Sequence, residues 1–196
     1  KIISFLSKAC KKNGCILTGG ETSEQPGVVK AGTYILTASI VGVVEKNKII
    51  DGSKIKEGDT VLALASSGIH TNGISLVRKI MEQNPKILNE KIDGKSFLKN
   101  ILIPHRCYYN SLKDLFRNKE LVGLAHITGG GLKENLNRIL PKKLNAVIDI
   151  SKIKVLNIFK VLKKFGNLED NDMFRTFNMG VGITMVVRKN FADEAK

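Results

Sequence analysis

Apolar residues recur along this chain in two spacings, and the alternation of the two predicts a layered α/β protein. Apolar positions three or four residues apart predict helices over residues 1–12, 74–81, 132–140 and 155–165. Short apolar runs predict strands over residues 14–18, 34–44, 60–66, 121–127, 145–150 and 180–187. Residues 95–118 predict two helical pieces interrupted at Pro104. The expected fold class is therefore α/β (α+β), with helices packed against a mixed sheet.

A turn cluster predicts a division of the chain into two parts. The stretch DGSKIKEGD, residues 51–59, combines glycine, aspartate and serine between two apolar runs. We expect residues 1–58 to be the end of an N-terminal domain and residues 59–196 to be a C-terminal α/β domain. The first residue, Lys1, lies inside a helix-like pattern, which predicts that the chain is the later part of a longer protein.

Composition and charge exclude some classes of protein. Hydrophobic residues make up 42% of the 196 residues, which permits a sizeable core, and no apolar run is long enough to span a membrane. Cys10, Cys15 and Cys107 have no metal-ligand spacing, which predicts small core residues in a reduced, cytoplasmic protein.

The net charge of +14 raises the possibility of a basic nucleic-acid-binding module. The excess comes from 26 lysines against 6 arginines, scattered without runs and without interleaved aromatic residues. Base readout and stacking favour arginine and aromatic side chains, so we expect anionic small molecules rather than nucleic acid as partners.

Four segments share one design, in which a glycine-rich loop with polar side chains lies beside a strand. They are TGGET (18–22), SSGIHTNG (66–73), HITGGG (126–131) and FNMGVG (177–182). Bare backbone N–H groups in such turns bind phosphate. The predicted substrate-binding and phosphate-binding residues are Gly19, Gly20, Thr22, Ser67, Gly68, Asn72, Gly73, Thr128, Gly129, Gly130, Gly131, Arg175 and Asn178.

Several side chains near these loops have two interpretations. His70 can donate to a phosphate or move a proton, or it can be an ordinary loop histidine, and Thr71 can cap the following helix. Arg175 can clamp a phosphate or pair with Asp170 or Asp172. His126, in a strand, is expected to be a packed or hydrogen-bonded core residue.

His105 and Arg106 are two further candidate residues, and several common catalytic motifs are absent from the sequence. His105 and Arg106 follow Pro104, and Arg106 can face an anionic substrate or remain on a helix surface. The chain has no Walker A loop, GxGxxG, CxxC, HExxH or serine-hydrolase elbow. Zinc catalysis and nucleophilic hydrolysis are therefore poorly supported by its motifs.

The ordered set of motifs resembles the aminoimidazole ribonucleotide synthetases, also called phosphoribosylformylglycinamidine cyclo-ligases. The matching stretches are GGETSEQPG, GVVEKNKIIDGSKIKEGD, ALASSGIHTNGISLVRKI, HITGGGLKENLNRILP and MFRTFNMGVG. The resemblance runs from about Cys15 to the C-terminus. The family's N-terminal part, with its glycine-rich nucleotide segment and acidic metal ligands, has no counterpart in these residues.

The resemblance implies a fold and a reaction. The first domain would contribute strands to a barrel shared across a homodimer, and the second would be a sheet with packed helices. With ATP and Mg²⁺, such enzymes phosphorylate the amide oxygen of formylglycinamidine ribonucleotide, an amidine nitrogen attacks, and the imidazole ring closes. A paralogous ATP-using enzyme is the alternative: formylglycinamidine ribonucleotide synthetase, selenophosphate synthetase or thiamine-phosphate kinase.

The same resemblance implies roles for two side chains. His70 and Glu21 are the expected catalytic residues, and Glu21 is expected to help hold Mg²⁺ or a substrate hydroxyl. Gly19 and Gly20 are expected to let a phosphate approach the backbone. A third possibility is that the 196-residue chain is inactive by itself and only marks the fold.

Overall fold

A computed structural model describes all 196 residues, which divide into two compact units, Lys1–Ile49 and Ile50–Lys196. This division falls earlier than the boundary at residue 58 expected from the turn cluster. None of the helices is long and apolar enough to cross a membrane.

The first unit has one α-helix, α1 (Ile2–Lys12), and a short 3-10 turn at Lys46–Lys48. The strands expected over residues 14–18 and 34–44 are not formed, and this prediction was wrong. A strand needs a neighbour for its N–H and C=O groups, and no strand is present within this unit. No side chain of the unit is buried, so its apolar residues are not core residues in this structure.

The second unit contains five strands and six α-helices, with helices between most of the strands. In chain order they are β1 (Thr60–Ala65), α2 (Ile74–Gln83), β2 (Lys91–Ile92), β3 (Lys95–Ser96), α3 (Phe97–Ile101), α4 (Tyr109–Leu112), β4 (Leu121–His126), α5 (Gly131–Asn137), α6 (Asn157–Gly166), α7 (Asp170–Thr176) and β5 (Val181–Val187). Four 3-10 turns lie at Pro85–Asn89, Leu115–Arg117, Ile150–Lys152 and Lys189–Phe191. The α/β class expected from the sequence is confirmed for this unit.

The main sheet has three strands in the order β1-β5-β4, and both pairings are antiparallel. The mixed sheet expected from the sequence was therefore wrong, because no two strands pair in parallel. Ala65 at the end of β1 lies opposite Val181, and His126 at the end of β4 lies opposite Ile183. Both outer strands therefore end where the central strand β5 begins. The loops that follow β1 and β4 and the loop that precedes β5 must meet at that edge of the sheet.

Two sets of apolar side chains hold the second unit together. Helices α2, α6 and α7 pack around Phe159 and Phe177, whose ring centroids are 5.6 Å apart. The sheet buries Met185 and Val187 against Leu121. Full burial of side chains of this size stabilises the fold by roughly 1.5–3 kcal/mol each.

The structure differs locally from the sequence-based expectations in three places. Residues 145–150 form no strand and lead instead into a 3-10 turn. The short β2–β3 hairpin was not predicted, although Asp93 (φ 49°) and Gly94 (φ 76°) have the left-handed backbone of a two-residue hairpin turn. Helix α7 was also missed, because its first turn, Asp170–Asp172, is entirely polar.

Candidate active site at the loop edge of the sheet

Four segments meet at the edge of the sheet where β5 begins, and we call this region the loop edge. Three are the glycine loops 66–73, 127–131 and 177–180, and the fourth is residues 104–108. Backbone hydrogen bonds extend the sheet into the loops, because Ser66 N donates to Gly180 O (2.8 Å) and Ile127 N donates to Gly182 O (2.9 Å). Three of the four glycine segments singled out from the sequence are therefore neighbours in space.

The buried amide of Asn178 ties two of these loops together. Its Oδ1 accepts from Ser66 Oγ (2.8 Å) and from the backbone N–H of Gly180 (2.9 Å), and its Nδ2 donates to Gly68 O (2.8 Å). Only 1% of Asn178 is exposed. The amide therefore holds the start of the 66–73 loop against the start of β5.

The backbone of these loops is strained. His70 (φ 51°), Thr71 (φ 58°) and Met179 (φ 51°) have left-handed φ values without being glycine. A β-branched residue such as Thr71 is rare in that region of φ/ψ space, where non-glycine residues cost of order 1–3 kcal/mol. Strain of this kind persists only where surrounding contacts enforce it, and it is concentrated at functional sites.

All three histidines of the chain lie together at the loop edge. One ring nitrogen of each of His70, His105 and His126 lies within 4.8 Å of the others. The rings of His70 and His105 are stacked, with centroids 3.9 Å apart and planes at 15°. The Nε2 atoms of His105 and His126 are 3.1 Å apart and share a hydrogen bond.

Hydrogen bonds fix the tautomer of His70. Its Nε2 accepts from the backbone N–H of Ser67 at 3.0 Å, so the ring proton of the neutral form is at Nδ1. That Nδ1 is buried and has no hydrogen-bond partner. Ser67 Oγ lies 2.9 Å from the same Nε2 and donates to Pro104 O (2.9 Å), which joins the 66–73 loop to the 104–108 segment.

The electrostatics of the cluster keep all three imidazoles neutral near pH 7. Burial, followed by the nearby His105, His126 and Arg106, lowers the pKa of His70 to about 4. Loss of solvent also lowers the pKa of His105, with a contribution from His126, and it lowers the pKa of His126. The cluster therefore offers neutral ring nitrogens rather than imidazolium charges.

Comparison with known proteins identifies the family. A family model described as "AIR synthase related protein, C-terminal domain" matches residues 56–196. The chain belongs to this family.

Curated relatives named phosphoribosylformylglycinamidine cyclo-ligase match nearly the whole chain. The relative from Acetivibrio thermocellus is 46% identical over 195 residues, which cover 98% of this chain and 57% of that protein. The relative from Finegoldia magna is 41% identical over 194 residues, covering 99% of this chain and 57% of that protein. The resemblance to the cyclo-ligases seen in the sequence is thus confirmed, and the chain spans little more than half the length of these relatives.

Within this family member, the three glycines after β4 have different surroundings. Gly129 is exposed, and a Cβ added there would meet nothing within 4 Å. Gly131 has φ +62°, and a Cβ there would lie 1.8 Å from the carbonyl oxygen of Phe174. Gly131 therefore allows α5 to approach α7, whereas Gly129 has no steric reason to be glycine.

The other residues expected to bind phosphate at the loop edge have mixed exposure. Ser67, Asn72, Gly73 and Thr128 are half-buried, and Thr71 is exposed. Asn72 Nδ2 donates to His70 O (2.9 Å), and Thr128 Oγ1 donates to Asn135 Oδ1 (3.3 Å). Their side chains are therefore positioned by the loops themselves.

The structure excludes one interpretation for each of two residues. The Arg175 side chain is 80% exposed and its Nε lies 3.9 Å from Glu134 Oε1, so the possible pairing with Asp170 or Asp172 is not formed. Thr71 does not cap α2, because the N-cap residue is Gly73 and the Thr71 hydroxyl donates to His70 O.

The cysteines and one histidine also differ from expectation. Cys15 and Cys107 are exposed and Cys10 is only half-buried, so the prediction of core cysteines was wrong, although none is in a disulfide. His126 is exposed rather than a core residue, but it is hydrogen-bonded as expected.

The fourth glycine segment lies in the first unit. Glu21 and Thr22 are exposed there, and a Cβ at Gly19 or Gly20 would meet nothing within 4 Å. Nothing in the packing of this unit requires glycine at Gly19.

Sequence reasoning missed the convergence of His105 and His126 on His70. A signal was available, because the chain has only three histidines, of which His70 lies inside one glycine loop and His126 at the border of another. His105 follows Pro104 in a segment that was interpreted as the start of a helix. The segment has no regular structure, which allows it to fold back over the 66–73 loop.

Proposed function

We propose that this chain forms part of the active site of a cyclo-ligase that converts formylglycinamidine ribonucleotide into aminoimidazole ribonucleotide in purine biosynthesis. The observation that carries the proposal is the strained 66–73 loop, held against β5 by Asn178 beside the 127–131 glycine loop. Membership of the AIR synthase related family and the cyclo-ligase names of its relatives support it.

The reaction is a phosphoryl transfer followed by ring closure. The amide oxygen of the substrate attacks the γ-phosphorus of ATP, and ADP leaves. An amidine nitrogen then attacks the activated carbon, the carbon–oxygen bond breaks, and inorganic phosphate departs. Such chemistry needs positioned N–H donors and cations around the phosphates more than it needs a nucleophilic side chain.

In this proposal the loop residues that solvent reaches and the fully buried loop residues have different tasks. Asn72, Thr128, Gly129 and Gly130, together with Ser67 and Gly73, bind phosphate oxygens, and Arg175 adds an exposed positive charge. The buried Gly68, Gly131 and Asn178 set the shape of the loops.

His70 acts in this proposal through its neighbour. With 1% of the residue exposed, its ring contacts Ser67 rather than solvent. The neutral Nε2 accepts the hydrogen bond from Ser67 N–H. This bond fixes the position of the 66–73 loop, to which a phosphate would bind. His70 is therefore proposed as a positioning residue of the reaction.

The first unit has a glycine segment with proposed roles of its own. Gly19, Gly20 and Thr22 allow a phosphate to come close to the backbone, and Glu21 holds Mg²⁺. A carboxylate oxygen is a ligand type that Mg²⁺ prefers, and the exposed Glu21 fits that requirement. When bound, Mg²⁺ would neutralise charge on the transferred phosphoryl group.

The test is ADP release by the complete gene product, measured with and without formylglycinamidine ribonucleotide. Substrate-dependent ADP release supports the proposal, whereas ATP turnover that ignores this substrate would favour a paralogous ATP-using enzyme. Glu21→Gln is expected to reduce turnover by at least tenfold while leaving the far-UV circular dichroism unchanged. Glu24→Gln, another exposed carboxylate in the same loop, is the matched control and should retain activity.

Two wider statements belong to the same proposal: the enzyme is a homodimer and works in the cytoplasm. Sedimentation of the complete gene product measures the first, and localisation of a tagged protein in the cell measures the second. A monomer with full activity would remove the dimer from the proposal.

A further inference from the structure

We infer that His105 and His126 form a binding site for a borderline divalent transition metal of the Zn²⁺ class. This site goes beyond the proposed reaction, whose metal is Mg²⁺ on oxygen ligands. Imidazole nitrogen suits Zn²⁺, Ni²⁺ and Cu²⁺, whereas Mg²⁺ prefers carboxylate, carbonyl and water oxygen. The two sites therefore differ in ligand chemistry as well as in residues.

The distance between the two ligand atoms supports a shared ion. The Nε2 atoms of His105 and His126 are 3.1 Å apart. Two nitrogens bound tetrahedrally to Zn²⁺ at about 2.0–2.1 Å are roughly 3.3 Å apart. A metal ion can therefore replace the hydrogen bond between the rings after a movement of only a few tenths of an ångström.

Access and protonation also suit an ion at this place. Both residues are exposed, so an ion can enter from solvent and keep water on its remaining positions. The hydrogen between the two Nε2 atoms can move to Nδ1 of the ring that carries it, which leaves both Nε2 lone pairs available to one ion. The site would be a two-histidine clamp with open coordination positions.

The third histidine supports the clamp without binding the ion itself. The His70 ring is stacked on His105 in nearly parallel planes, so the ring lone pairs of the two residues cannot converge on one ion. The Nε2 of His70 is also occupied by the Ser67 N–H. The stacking fixes the orientation of the His105 ring, which lowers the entropy lost when the metal binds.

An ion in the clamp would connect two segments that are far apart in the chain. His126 ends β4, and His105 lies in the 104–108 segment, which has no regular structure of its own. The site would fix this segment to the start of the 127–131 glycine loop. Arg106, whose Nη1 donates to Ala65 O, is carried on the same segment.

The first experiment is a Co²⁺ titration of the metal-free 196-residue chain, followed by competition with Zn²⁺. We expect one equivalent to bind with a dissociation constant below about 100 μM and to give a d–d absorption band. His105→Ala and His126→Gln should each weaken binding at least tenfold. Cys107→Ser removes an exposed thiol two residues from His105 and should leave binding unchanged.

A second measurement on the unaltered chain removes the ambiguity of a variant that fails to fold. Zn²⁺ should shift the imidazole ¹⁵N resonances of the Nε2 atoms of His105 and His126 and leave His70 Nε2 in place. Absence of stoichiometric binding, binding indifferent to both histidine variants, or binding lost in Cys107→Ser would overturn the inference.

Discussion

Replacing Gly131 by alanine tests whether this glycine has a packing role that Gly129 lacks. An alanine at φ +62° costs about 1–2 kcal/mol because its Cβ approaches the carbonyl oxygen of its own backbone. The new Cβ would also lie 1.8 Å from the carbonyl oxygen of Phe174, which cannot rotate away as a side chain can. Forcing α5 and α7 apart adds roughly 1–3 kcal/mol.

The expected loss of stability is therefore about 2–5 kcal/mol, which for a domain of this size lowers the melting temperature by roughly 5–15 °C. Urea denaturation followed by circular dichroism measures the loss directly. Gly129→Ala is the matched control, because nothing lies within 4 Å of its Cβ position, and it should unfold at the same urea concentration as the parent. Equal stability of the two variants would refute the steric argument.

Two further outcomes are expected from the loop edge. Asn178→Ala leaves Ser66 Oγ, Gly68 O and Gly180 N without their buried partner, which should lower the free energy of unfolding in urea by about 2–4 kcal/mol. Asn171→Ala on the exposed face of α7 should lower it by less than about 0.5 kcal/mol. Similar losses for the two variants would contradict the role of Asn178 in holding the 66–73 loop against β5. The folded-state pKa of His70, about 4, lies below its ordinary value of 6.5, so the unfolded chain binds the additional proton first as pH falls. With EDTA present, the free energy of unfolding should therefore fall by about 2 kcal/mol between pH 7 and pH 5. A free energy of unfolding that does not change over this pH range would indicate that the His70 ring is exposed to solvent.

The elements that were predictable from the sequence are those whose signal is local. Strand β1 and helix α2 follow from a short apolar run and from the spacing of Val77 and Ile80, whose burial the structure confirms. The glycine loops were equally visible, because glycine and polar residues mark turns directly. Their meeting at one edge was not predictable, since it depends on the strand order β1-β5-β4.

The failures have a common physical origin in contacts distant in sequence. Residues 34–44 have strand-like composition, but a strand forms only where another backbone accepts its hydrogen bonds. The histidine cluster joins positions 70, 105 and 126, and no spacing rule connects residues on three separate segments. A reader of the sequence sees three isolated histidines, and only the fold makes them neighbours.

The central position of β5 has a consequence for how the protein is made. Of the three strands in the main sheet, β5 is the last to leave the ribosome, yet β1 and β4 hydrogen-bond to it rather than to each other. Until β5 emerges, the backbone N–H and C=O groups with which β1 and β4 would bond to it remain unpaired, which makes the nascent chain prone to aggregation. A premature stop codon before residue 181 would therefore remove the middle strand of the sheet and give insoluble product.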